Sequence, residues 1–137
     1  MNLNEITNRR TFNNPTLAAM NAEADSIQAY MDVPAQLEDP ASLNYRLNAL
    51  DTYKSRLTSL ITEAKDMYNR ANNIFQEENE EQLNKLAITV QSRVIKRNLY
   101  EFSTTVDRLE LMYRTIDGLT HDLVTLISFI KSQMVLR

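Results

Sequence analysis

A chain of 137 residues is long enough for one domain with a real core and too short for two comfortable ones. One Gly, three Pro and no Cys leave too few turn formers for a sandwich or barrel, and no disulfide framework or Cys-rich zinc site. Net charge is −3, with 7 Lys/Arg against 13 Asp/Glu in residues 1–81 and 8 against 5 in residues 82–137, so the whole is acidic but a locally basic surface is still open to it.

In chain order, residues 1–14 are Asn-rich, carry Arg9 and Arg10 side by side and show no periodicity, so they read as a flexible arm ahead of a single helical domain spanning 15–137. The start is polar and acidic, unlike a signal peptide, and no run approaches the ~20 apolar residues that span a bilayer. The expectation is a cytoplasmic protein that makes no membrane contact. Asn14 and Pro15 form a plausible cap and first helical position, and a helix is predicted over 15–32 with Leu17, Met20, Ala24, Ile27 and Met31 on one side. Pro34 and Pro40 then bracket a joint that cannot be continuous helix, since each proline lacks an N–H and restricts its predecessor.

Asp39-Pro40 repeats the cap signal and opens a second helix over 40–76, striped by Leu43, Leu47, Leu50, Leu57, Ile61, Ala64, Tyr68, Ala71 and Phe75. Only Lys54 interrupts that stripe, and its long stem can lie over the seam while the ammonium reaches water. The glutamate-rich segment 76–81 is a polar break whose carboxylates suit the start of the next helix. A third helix is predicted over 80–135, first with Leu83, Ala87, Val90 and Val94. A phase shift near Lys96-Arg97-Asn98 implies a stutter, bend or break. From Phe102 and Val106 the stripe runs through Leu109, Tyr113, Ile116, Leu123, Ile127, Ile130 and Met134, missing one slot at Thr120. It keeps its phase across Gly118, which favours continuity there over a turn.

The fold class is therefore all-α: an elongated helical hairpin or coiled coil of three main helices, over 15–32, 40–76 and 80–135. At 1.5 Å per residue the second helix spans ~55 Å and the third ~85 Å, an excess about the length of the first. That arithmetic places the first helix, the joint and the second helix in line, antiparallel to the third. So thin a body cannot enclose a dry core alone, and a homo-oligomer is expected, with Leu109, Tyr113, Ile116, Leu123, Ile127, Ile130 and Met134 as the core and oligomer seam.

Catalytic signals are thin. His121, Asp122 and Ser128 share one helix, so they line a surface without enclosing a pocket, and the bland reading of a surface histidine prevails. Glu78-x-x-Glu81 and Asp107-x-x-Glu110 have the spacing of paired magnesium-binding carboxylates, but a solvated hairpin tip explains the glutamates more simply. No enzyme activity, metal, cofactor or small-molecule substrate is expected. Arg93, Lys96, Arg97 and Tyr100, at i, i+3, i+4 and i+7, put three cations and a ring on one helical face, able to contact phosphates and stack on an unpaired base. Its bland alternative is an ordinary solvated charged face. Arg9 and Arg10 could add to the patch.

In size and layout, and in the tail from Asp117-Gly118-Leu119 to Ser128-Phe129-Ile130-Lys131-Ser132-Gln133-Met134, the chain resembles the UvsY-type recombination mediators of tailed phages, and more broadly small helical phage proteins. The resemblance implies a self-assembling protein that binds single-stranded DNA and helps load a RecA-like recombinase where single-strand-binding protein is already bound. The family's Lys-rich DNA-binding segment has no clean counterpart here. The competing expectation is a protein-only module, a virion or assembly component or an inhibitor of a host enzyme, acting through helix contacts.

Overall fold

Two proline-led caps start the first two helices. Asn14 accepts hydrogen bonds on its side-chain oxygen from the Thr16 and Leu17 N–H groups, and Pro15 opens α1 (Pro15–Met31). Asp39 accepts from the Ala41 N–H and the Ser42 hydroxyl ahead of Pro40, which opens α2 (Pro40–Glu78). Three helices follow: α3 (Glu80–Asn84), α4 (Ile88–Asn98) and α5 (Tyr100–Val135). This computed structural model describes residues 14–35 and 39–135; the expected arm, with Arg9 and Arg10, lies outside them, as do residues 36–38 of the joint. Every regular element among the described residues is helical, and no helix there is long and apolar enough to cross a membrane.

The scaffold is the pairing of α2 with α5. Lys54 meets Asp117 and Lys65 meets Glu110, so residue numbers rise along one helix as they fall along the other, and the two run antiparallel. Buried positions recur every seven residues on both sides: Leu43, Leu50, Leu57, Ala64 and Ala71 on α2, and Phe102, Leu109, Ile116 and Leu123 on α5. Such a ladder keeps one face of each helix against the other over many turns. Thr120, the missed slot in the apolar stripe, is itself buried and donates its hydroxyl to the Asp117 carbonyl at 2.8 Å, so the seam closes without a stranded polar group.

Three features differ from the sequence reading. First, α1 does not lie in line with α2. Arg56 pairs with Glu23, Arg46 donates to the Met31 carbonyl, and Tyr30 stacks obliquely on Tyr53, so the proline joint is a reversal and α1 folds back antiparallel to α2. On its other side Asn21 and Asp25 meet Thr105 and Arg108 of α5. The reason is burial. In the groove between two helices the expected stripe Leu17, Met20, Ala24, Ile27 and Met31 is removed from water on both flanks, which an end-to-end arrangement could not do.

Second, the third helix over 80–135 is three helices. With 39 residues in α2 and 36 in α5, the paired helices are ~58 and ~54 Å long, so their lengths match. A straight continuation over 80–98 would have run past the end of α2 with its apolar residues uncovered. Instead α3 and α4 turn back, and Leu83 and Val94 close over Phe75 in a second, smaller core supported by Leu86, Val90 and Ile95. The break at 85–87 carries no side-chain cap, since Ala87 precedes α4. The bend at Leu99 falls in the stretch where the phase shift was expected, and α5 continues unbroken through Gly118.

Third, the α5 seam is set differently. Leu109, Ile116, Leu123 and Ile127 are buried as expected, while Tyr113 and Ile130 are half-buried. Thr105 and Met112 take the deep positions beside them, because α1 widens the buried stripe toward its own side. Met134 is 65% exposed, since it lies beyond the level at which α2 begins, and it belongs to no seam within the chain.

Leu109→Ala and Ile116→Ala each remove a side chain with no exposed surface, and each is expected to cost about 2–5 kcal/mol through lost burial plus the cavity left behind. Val124→Ala, exposed on the same helix, should change stability by less than about 0.5 kcal/mol in chemical denaturation. A pH dependence follows from the caps and ion pairs. The Arg56 guanidinium holds the Glu23 carboxyl below the usual carboxylate range, and the Ser42 hydroxyl and Ala41 N–H do the same for Asp39. A group whose folded pKa is depressed stabilises the fold above its unfolded pKa and loses that contribution as pH falls through the folded value. Melting temperature should therefore drop below about pH 4.5, and a Glu23→Gln, Asp39→Asn variant should show a shallower drop.

Candidate nucleic-acid interface

The basic face sits on α4, which the second core holds in place. Val94 and Asn98 are buried toward that core, and this orientation turns Arg93, Lys96 and Arg97 outward, all three exposed. Lys96 and Arg97 occupy the last turn of α4, where cations are favoured by the helix dipole. None of the three has a carboxylate partner among the described residues. The contrast with α2 is sharp: Arg46, Lys54, Arg56, Lys65 and Arg70 are each tied to a carbonyl or a carboxylate. An unpaired cluster keeps its charge available to an incoming phosphate without first breaking an internal bond.

Tyr100 lies across the bend. Asn98 donates its side-chain amide to the Val94 carbonyl at 2.9 Å, and the Leu99 N–H bonds the Ile95 carbonyl at 3.0 Å, so α4 is closed off before α5 begins. Tyr100 is the first residue of α5 and is 65% exposed. Its ring borders a cleft of about 420 Å³ that also touches Asn14, Pro15, Ala18, Asn21 and Thr104. That cleft exists because α1 and α5 run parallel and begin at the same end of the bundle. The sequence reading placed α1 elsewhere, so the cleft had no visible signal; Asn14 was recognisable as a cap but not as a wall.

The remaining candidates do not assemble. His121, Asp122 and Ser128 lie exposed along one helix. Glu110 is committed to Lys65 at 2.9 Å, and among the described residues no group of three or more metal-ligating side chains comes together. Comparison with known proteins finds no matching family model, no matching curated protein and no matching solved structure.

Because α4 is anchored through a small core, its presentation is separable from the main bundle. Phe75→Ala is expected to cost about 3–5 kcal/mol locally. Amide exchange should accelerate across 80–98 well before it does in α2 and α5 around Leu57 and Leu109.

Proposed function

We propose that this protein is a non-enzymatic, self-assembling accessory factor for single-stranded DNA that assists a RecA-like recombinase, with Arg93, Lys96 and Arg97 contacting phosphates and Tyr100 stacking on an unpaired base. The observation that carries the reading is the exposure of those three cations together on α4, without a carboxylate partner among the described residues, with the exposed Tyr100 opening the next helix. Phosphate contacts supply affinity without sequence information, and stacking on an aromatic face is tolerant of base identity. One such patch per chain is modest. Several copies on one strand raise the effective concentration, so assembly converts a weak contact into a useful one. The resemblance of the tail from Asp117 to Met134 to UvsY-type mediators gives the same reading its biological direction.

Replacing Arg93, Lys96 and Arg97 together by Gln keeps three good helix formers and removes three charges. Binding of a labelled oligonucleotide should weaken, and the slope of log affinity against log salt should flatten by about 2, from ~0.7 per phosphate contact. Tyr100→Leu should weaken single-strand binding more than duplex binding, since only unpaired bases offer a free face. If the parent protein binds no oligonucleotide even at low salt, the proposal falls and a protein-only module takes its place.

A further inference from the structure

The outward face of α5 contains the chain's one glycine, and nothing in the fold requires it there. A Cβ built at Gly118 meets no atom within 4 Å. A glycine in mid-helix costs about 1 kcal/mol relative to alanine. Around it, Leu111, Thr115, Gly118, Asp122, Thr125 and Phe129 follow one another at steps of four and three, forming a second stripe that is exposed throughout. Leu111 and Phe129 at its two ends are 60% and 59% exposed. Arg114 and Asp122 stand one turn before and one turn after Gly118, and neither has a partner among the described residues.

We infer that this face binds a second copy of the chain, α5 against α5 in antiparallel orientation about a two-fold axis at Gly118. A two-fold interface is self-complementary, so each residue and its contact appear twice. With the axis at Gly118, residues equally far before and after it face each other. Arg114 then meets Asp122 of the second copy, and Asp122 meets its Arg114. The two glycines cross at the centre, where the missing Cβ atoms let the helix backbones approach closely. Leu111 lies beside Thr125 of the second copy, one turn from Phe129, which covers the two exposed apolar ends. Charge complementarity chooses the occupant. A parallel copy would set Arg114 against Arg114 and Asp122 against Asp122, and those like charges oppose it. The inference deepens the self-assembly part of the proposed function, and it places the contact away from Arg93, Lys96 and Arg97.

The test is charge reversal followed by sedimentation equilibrium of the full chain. Arg114→Asp leaves two acidic groups on the face, and Asp122→Arg leaves two basic ones. Each single variant should dissociate at least about tenfold more readily than the parent, because both attractive pairs become repulsive. Mixing the two single variants should restore association, as every acidic group then faces a basic one, and the double reversal in one chain should restore it as well. Gly118→Leu, which has room in the isolated chain, should also dissociate the pair while the circular dichroism melt retains its cooperativity. A parent that is monomeric at all concentrations, or single variants that associate as the parent does, would overturn the inference. Oligonucleotide binding measured on the same variants reports on Arg93, Lys96 and Arg97 separately, so loss of the contact and loss of the DNA reading can be told apart.

Discussion

The structure depends on one packed seam, the seven-residue ladder of α2 against that of α5. Each rung brings apolar side chains out of water, worth roughly 1.5–3 kcal/mol for every large residue fully covered. Leu43, Leu50 and Leu57 are bulky along the first half of α2, whereas Ala64 and Ala71 take over further on. Thr16 of α1 lies close to Met67, Arg70 and Ala71, Glu23 reaches Arg56, and Arg46 donates to the Met31 carbonyl, so α1 covers α2 from Arg46 to Ala71, leucines and alanines alike. Buried alanines on both helices, Ala64 and Ala71 on α2 and Ala24 on α1, let a third helix approach without prying the first two apart.

On the side of the seam away from α1, ion pairs replace a covering helix. Lys54 reaches Asp117, and its ammonium also lies 5.5 Å from the centre of the Tyr113 ring. Lys65 reaches Glu110. The Asp117 hydrogen bond pushes the Lys54 ammonium above its usual range. These are surface pairs of small individual value, but they bracket half-buried Ile61 and Tyr113 and fix the antiparallel register from outside. The lysine that interrupts the α2 stripe thus lies over the seam as its long stem allows, with its charged end tied to the opposite helix.

How much of this was legible depends on which residues carry the signal. Both proline caps, the full buried set of α1 and the continuity of α5 through Gly118 followed from local chemistry, since caps and periodicity act within one or two turns. The five-helix count did not. At 85–87 the chain turns through Asn84-Lys85-Leu86-Ala87, with no Gly, no Pro and no capping side chain ahead of Ile88. Nothing local forces that turn; the matched lengths of α2 and α5 and the need to cover Phe75 do, and both are tertiary facts. The reversal of α1 is of the same kind. Eight residues with two prolines allow a straight joint or a hairpin, and only the groove on the far side decides. For the basic face, helical spacing placed Arg93, Lys96 and Arg97 together, though the bend at Leu99 puts Tyr100 on the next helix; that the three have no carboxylate partner among the described residues could be seen only once every lysine and arginine of α2 had found a partner.

Buried asparagines mark both ends of the folded-back segment. Asn79 and Asn98 each donate a side-chain amide to the carbonyl four residues earlier, at 2.8 and 2.9 Å, and each leaves its own side-chain oxygen without a partner. A buried acceptor left unpaired costs ~1–3 kcal/mol, so these two bends are weaker than the seam they flank. The segment between them is also electrically divided: Glu77, Glu80 and Glu81 are exposed near its start, and Arg93, Lys96 and Arg97 are exposed near its end. At physiological salt a charge is felt over ~8 Å, less than one helix diameter of ~10–12 Å. A phosphate approaching α4 therefore responds to the nearby cations far more than to the net charge of −3. The acidic stretch, a short chain distance away, repels the same phosphate from the neighbouring surface. An acidic protein can in this way present one basic face and give an approaching anion a preferred side from which to arrive.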